Sequence, residues 1–458
     1  MKRIFGAVIG VAVMCGGAYL IADRIAQQKA EEGVREVQAA LPAGSSLEYA
    51  RIDASPLSGS ATLETAVIQA GGRRFRAESL TIGDVAEGSD ASLVRIGSLS
   101  ARNVEASRGD GPQLRATTLD LTDVLLTPAD GQIRAMGSGE SEALTISDGT
   151  GRVHLDDVAV TDWKKLQLSR LRAGKISFES GSDESGQREV FQDVRLEGLD
   201  LRGNDLTRQG PLTGQDLLRL SRNARYERLR IGTASIAADG QEVARVEDLE
   251  ARQTITETGD AVWMTDVGAY ALRAGDKVAF DHAVVGGDGM VRGTMSGRQV
   301  YDPDAGTLLL ENLKLQVDNG GELSGKLRVS GIASGTNENA ATLPQPSEMQ
   351  RARLDDLSMR YADAGLLALG LDALAGQAGT SREALIERYA AILKKRAQSA
   401  SEATRTSLNA LEAFVTEGGT LNLSVKLEKP VPFSELALAF MMRPVRTAEF
   451  INLDLQHE

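Results

Sequence analysis

The sequence predicts a mainly β protein with an α-helical insertion: an elongated, curled antiparallel sheet, groove-like or sandwich, built from degenerate strand repeats behind one N-terminal transmembrane helix. Three observations carry this. An unbroken apolar run opens the chain. A long region then alternates apolar and polar residues with period two between turn residues, the signature of half-buried strands. Late in the chain the apolar spacing changes to that of helices.

Residues Ile4 to Ala22, "IFGAVIGVAVMCGGAYLIA", follow Lys2 and Arg3. At roughly 1.5 Å per helical residue the run just crosses a hydrocarbon core of about 30 Å. It lacks the small-residue cleavage site of a secretory signal, and "ADRIAQQKAEEGVREVQAAL" continues it as a helix former. Residues 1–22 are therefore expected to be an anchor and 23–44 a juxtamembrane helix and linker. The basic N-terminal flank expects a cytoplasmic N-terminus, with the bulk outside the cytoplasm, in the periplasm of a Gram-negative cell. Cys15, the only cysteine, lies inside the apolar run after Met14 and reads as a membrane-buried thiol.

From 45 to 335 the chain reads as a repetitive β region. "SLTIGDV" (Ser79 to Val85), "SLSARNVEAS" (Ser98 to Ser107), "TLDLTDVLLT" (Thr118 to Thr127) and "EALTISDG" (Glu142 to Gly149) share one pattern. Their leading leucines, Leu80, Leu99, Leu119 and Leu144, recur about 20 to 25 residues apart. Asp-Gly, Gly-Asp, Asn-Gly and Gly-Gly pairs punctuate the strands and suit hairpin turns. In "TLDLTDVLLT" the apolar set slips from Leu119 and Leu121 to Val124 and Leu126, which predicts a bulge. The apolar face needs a cover, and only "GPLTGQDLLRLSRNA" (Gly210 to Ala224) offers a short helix within the region, so curling is the economical solution. Candidate face-lining residues are Leu80, Ile82, Leu99, Leu119, Leu121, Leu144, Ile146, Leu229, Ile231, Leu313 and Leu315.

Residues 336–349 read as a polar, Pro-containing linker, 350–416 as the helical insertion, and 417–458 as C-terminal strands that return to the β region, with "TLNLSVKLEKPVPFSELALAFMM" strand-like through Phe440. Thr380 and Glu383 spell a capping box ahead of "SREALIERYAAILKKRAQ", whose Leu385, Ile386, Tyr389, Ile392 and Leu393 fall on one face. The helices are expected to cap the sheet end; the 381–415 stretch could instead receive an envelope protein partner or lie on the membrane.

Composition narrows the function classes. A net charge of -13 repels nucleic-acid phosphates and anionic headgroups from the soluble surface as a whole, and 4% aromatics leave little to stack on bases. No nucleic-acid partner is expected. The three histidines, His154, His282 and His457, stand apart without zinc-site spacing. Asp156 with Asp157, and Asp355 with Asp356, are adjacent pairs expected to point to opposite strand faces. "GGDGM" (Gly286 to Met290) and "DNGGELSG" (Asp318 to Gly325) lack calcium-loop and P-loop spacing and read as hairpin turns. The expectation is a protein with no catalytic, metal or cofactor residues, not an enzyme.

The anchor, the short helix, "LEYARIDASPLSGSATLETAVI" and the repeated Leu-x-Leu or Leu-x-Ile strands resemble the start of AsmA-type bacterial proteins, with Leu57, Ser58 and Gly59 as the Leu-Ser-Gly element. "MRYADAGLLALGLDALAGQAGTSREAL" and "GGTLNLSVKLEKP" resemble the C-terminal part of an anchored periplasmic family of unknown function. The resemblance implies a single-pass inner-membrane protein, held through residues 4–22, whose curled sheet binds or transfers phospholipid or another hydrophobic molecule in an apolar groove. About 15 strands at ~4.8 Å would give a groove of about 70 Å, short for a bridge across a whole envelope. The competing expectation is an envelope scaffold or interaction module with a closed β core and no ligand. A weaker third, an extracytoplasmic hydrolase, would need a convergent polar cluster.

Overall fold

A computed structural model describes residues 46–201, 225–274, 284–332, 352–436, 447 and 451–458, less the short segments 56–59, 71–72, 88–92, 109–112, 128–131, 149–150, 165–166 and 181–186. The expected anchor (1–22), juxtamembrane helix (23–44), short helix (Gly210 to Ala224) and linker (336–349) lie outside the described residues. The chain is mainly antiparallel β and forms two compact units, residues 1–241 and 242–458.

In the first unit β1 (Ser46–Glu48) and β2 (Arg51–Ser55) both pair with β3 (Ser60–Ala70), forming one interrupted edge. A meander follows, each strand antiparallel to the one before it. Its strands are β4 (Arg73–Glu87), β5 (Val94–Arg108), β6 (Gln113–Thr127), β7 (Gln132–Asp148), β8 (Gly151–Lys164), β9 (Gln167–Ser180), β10 (Gln187–Asp200) and β11 (Arg228–Ala238). The physical cause is the repeat itself: each short alternating run ends in turn residues, and a strand pairs most readily with its sequence neighbour.

Most of these strands are longer than the usual five or six residues, reaching 17 in β7. Strands β4, β5, β6, β8 and β10 stay one-faced over that length because they carry left-handed residues in mid-strand. Asp84, Asn103, Asp123, Asp157, Asp162 and Asp193 all have φ between 48° and 55°. Asp and Asn tolerate this region better than other side chains. Each such residue shifts the alternation by one place, so Leu119 and Leu121 before Asp123, and Val124 and Leu126 after it, all face inward. The expected phase slip in β6 is thus real. The bulge lies two residues beyond Asp123: the register runs unchanged from Thr122 opposite Ser138 to Leu125 opposite Ala135, and shifts between Leu125 and Leu126, which faces Ile133.

Opposite the five aspartates stand glycines. Register places Gly97 between Asp84 and Asp123, Gly137 between Asp123 and Asp162, and Gly174 between Asp157 and Asp193. A Cβ on Gly97 would lie 2.5 Å from the Cβ of Asp84, and one on Gly137 would lie 3.0 Å from that of Asp123. Irregularities of this kind sharpen strand twist. Aligned across neighbouring strands, they bend the sheet about its apolar face. That face is almost inaccessible at Leu63, Ile82, Ile96 and Leu126, each below 2% exposed, although no described helix of this unit covers them. A sheet that curls to shelter its own concave face satisfies this.

The second unit is another meander: β12 (Gln241–Ile255), β13 (Ala261–Arg273), β14 (Met290–Asp302), β15 (Thr307–Val317), β16 (Gly321–Ser330), β17 (Arg353–Asp363), β18 (Thr420–Pro432) and β19 (Asp454–His457). Between β17 and β18 the chain inserts α1 (Leu366–Ala378), α2 (Arg382–Gln398) and α3 (Glu402–Glu417). The insertion expected at 350–416 therefore begins later, because Leu354, Leu357, Met359 and Tyr361 alternate and pair with both β16 and β18. The strand expected to run through Phe440 stops at Pro432, where Pro430 and Pro432 lack ladder donors, and residues 433–436 are helical.

The cap of α2 is Ser381, one residue later than the expected Thr380, and its hydroxyl accepts from the Ala384 N–H at 3.2 Å. The carboxyl of Glu383 is held below its usual range by the backbone N–H of Glu383 itself and by Ser381. Helix α3 lies on the sheet end, as the sequence led one to expect. Ser407 Oγ donates to the Leu453 carbonyl at 3.0 Å and accepts from the Leu455 N–H at 3.1 Å. Phe414 stands edge-on to Tyr361 and His457 at centroid distances of 5.9 and 6.4 Å.

Candidate functional site

All nine candidate lining residues of the first unit lie on one face. One row across the strands reads Ile82, Leu99, Leu121, Gly139, Val160, Leu171, Leu196 and Leu229, from β4 to β11. Leu80 and Leu119 belong to the next row, which Ile231 completes opposite Val194; Leu144 and Ile146 lie beyond the phase shift on the same side. The Ile82 to Leu229 row spans seven strand spacings, about 34 Å at ~4.8 Å each.

Exposure along this face is graded. Leu80, Ile82, Leu99, Leu121, Leu144 and Ile146 are buried, whereas Leu119, Leu229 and Ile231 are only half-buried. Toward the later strands Val160, Leu171, Ile176, Phe178, Phe191 and Leu196 are also half-buried while packing against the core. Phe178 and Phe191 meet edge to face at 5.9 Å, a rigid aromatic pair on the more accessible part. From β8 to β11 is about 14 Å at ~4.8 Å per spacing, close to the ~15 Å of one leaflet of a ~30 Å hydrocarbon core.

Leu313 and Leu315 belong to the second unit, where both are half-buried on β15. There Leu315 aligns with Met295 on β14 and Leu323 on β16, and Val267 continues the row on β13. Met295 is 38% exposed and Leu315 and Leu323 are half-buried, so this face too has apolar surface that its own strands leave accessible. Below it Trp263, Tyr301, Leu308 and Val329 form a closed cluster.

Sequence reasoning missed a polar cavity of about 560 Å³ on the outer side of the first unit, lined by Arg76, Glu78, Asn103, Glu105, Arg115, Thr145 and His154 among others. His154, expected to be isolated, is not. Its Nε2 meets Asp156 Oδ1 at 2.7 Å and its Nδ1 shares a hydrogen bond with Thr145 Oγ1 at 2.9 Å. The cross-strand neighbours Thr145 and His154 were legible only once the β7 to β8 register was known. A carboxylate, an imidazole and a hydroxyl in line invite comparison with a hydrolase triad. However, β7 is paired on both sides, so its main-chain N–H groups serve the ladders and are not aimed at an oxyanion. Both lining glutamates are engaged as well: Glu105 pairs with Arg115 at 3.5 Å and Glu78 accepts from Asn103.

The adjacent carboxylates serve different partners. Asp156 holds His154 while Asp157 is a left-handed strand residue. Asp355 accepts from Ser330 Oγ at 2.8 Å, and Asp356 pairs with Lys326 at 3.1 Å. His457 Nε2 contacts the Gly418 carbonyl at 2.6 Å, and His282 lies outside the described residues. Gly286 to Met290 is a hairpin turn, closed by the Gly286 N–H donating to Met290 O at 2.9 Å, and Gly320 N–H closes the Asp318 turn onto Val317 O at 2.9 Å. No group of three metal-ligating side chains occurs among the described residues, and none of the described helices is long and apolar enough to cross a membrane.

A family model described as "Uncharacterized protein" matches residues 314–458, the stretch holding the helical insertion and the last strands. None of the curated proteins matches the chain.

Proposed function

We propose that this chain is a membrane-anchored, periplasmic, non-enzymatic protein of the cell envelope that binds or passes phospholipid, or another hydrophobic molecule, along the apolar faces of its curled sheets. The observation that carries the proposal is the half-buried end of the first unit's apolar face, Leu171, Leu196, Leu229 and Phe191, continuous with a mostly buried remainder. Apolar side chains held partly in water gain free energy when an acyl chain covers them. The expected anchor at residues 4–22 and the AsmA-type resemblance support the same reading.

The nearly complete burial of Leu63, Ile82, Ile96 and Leu126 favours a second reading, an envelope scaffold with a closed core, because a filled core leaves no continuous space. Site-specific photo-crosslinking of the full chain in membranes separates the two. A photoreactive residue at Leu229 or Leu315, on the apolar faces, should form phospholipid adducts, and one at exposed Arg230 should not. Equal labelling at Leu229 and Arg230, or none at Leu229 and Leu315, refutes the lipid reading and leaves the scaffold.

A further inference from the structure

The expected apolar face of α2 divides in two. Leu385 is buried against Leu371 and Ala375 of α1, whereas Tyr389 and Ile392 are each 38% exposed. At ~100° per helical residue, Tyr389 and Ile392 share an arc of about 120° with Arg388, Lys395 and Arg396. The acids Glu383 and Glu387 fall about 180° and about 140° away from the middle of that arc. Lys394, on the acidic flank, is taken by Glu412 at 3.3 Å, and Arg382 by Asp372 at 3.1 Å. No ion pair to Arg388, Lys395 or Arg396 occurs among the described residues.

We propose that this stripe of α2 docks onto the surface of an anionic lipid bilayer. Tyr with an aliphatic neighbour suits the headgroup boundary, and cations flanking them suit anionic lipid. Charge complementarity selects this occupant. In a chain of net charge -13, most of the surface is repelled by such a bilayer, whereas this arc sets three cations around uncovered apolar surface. The contact is independent of any lipid carried in the sheets, since it needs headgroups and no acyl chain in a groove. Each Lys or Arg near an anionic surface shifts the docked-to-undocked ratio roughly fivefold, so the three together are worth roughly a hundredfold. The attraction falls off within a Debye length of about 8 Å at physiological salt.

The test uses the full chain with its only cysteine removed, Cys15→Ser, and a polarity-sensitive fluorophore placed by Ile392→Cys or, as control, Glu387→Cys. The proteins are reconstituted into vesicles of phosphatidylcholine alone or with about one third phosphatidylglycerol. The Ile392→Cys label should shift to the blue in the anionic vesicles only, revert in high salt, and revert when Arg388→Gln, Lys395→Gln and Arg396→Gln are combined. The control label should stay in water throughout. Docking on a bilayer is overturned if the Ile392→Cys label is equally hydrated in both vesicles. It is also overturned if shielding follows protein density and ignores lipid charge, which would assign the stripe to a second copy of the chain.

Discussion

Replacing Gly97 by alanine tests whether the aligned left-handed residues dictate the glycines beside them. The new Cβ would sit 2.5 Å from the Cβ of Asp84 and 3.3 Å from its carbonyl oxygen, and both atoms are fixed by the backbone. Overpacking of this kind costs about 1–3 kcal/mol. Against it, alanine restricts the unfolded chain and returns about 0.4–1 kcal/mol, because Gly97 does not use a positive φ. The net expectation is a loss of about 1–2 kcal/mol. Gly370→Ala is the matched control: it lies inside α1, a Cβ there meets nothing within 4 Å, and the change should stabilise the helix by about 1 kcal/mol. Asp84→Gly removes the obstructing Cβ and the left-handed strain together, so the double variant should recover most of the loss, a coupling of opposite sign to the single change. The assay is urea unfolding of the full chain in detergent, with amide exchange in β4 to β6 to report the first unit by itself. Unchanged stability in Gly97→Ala, or losses that simply add in the double variant, would refute the reasoning.

Leu126→Ala, at a site less than 2% exposed, should cost about 2–5 kcal/mol, and Leu229→Ala, on the half-buried end, about half as much; equal losses in urea melts would remove the gradient along the face. Ser407→Ala strips Leu453 and Leu455 of their shared partner and should cost about 1–3 kcal/mol, read as faster amide exchange in α3 and β19 while β12 to β15 keep their protection. Tyr361 shares its one hydroxyl proton between Asp363 Oδ1 at 2.7 Å and Gly320 O at 3.1 Å, and burial, then Asp363, raise its pKa above the ordinary 10.0. The folded state thus holds this proton more tightly than the unfolded chain, so its stabilising effect is complete below pH 10 and is lost as pH climbs beyond. Tyr361→Phe should therefore be less stable at pH 8 yet lose less between pH 9 and 11; an identical decline in both proteins would show that Tyr361 does not couple.

The sequence alone determined the class of fold and the membership of its apolar face. Period-two alternation states which side chains of a strand share a side, and that holds whatever the strand's neighbours are, so Leu80, Ile82, Leu99 and Leu121 were readable as companions. A recurring left-handed position followed by valine, as in Asn103-Val104, Asp123-Val124 and Asp193-Val194, was also present to be read, but only the single slip at Asp123 betrayed it, since φ leaves no mark on composition. Tertiary structure decided the rest. Cross-strand register brought Thr145, His154 and Asp156 together and set glycines against the left-handed aspartates. Packing decided how much of each face stays accessible, burying Leu385 against α1 while leaving Tyr389 and Ile392 on the same helix in water. Periodicity fixes direction along one element, whereas exposure depends on what the rest of the chain places over it.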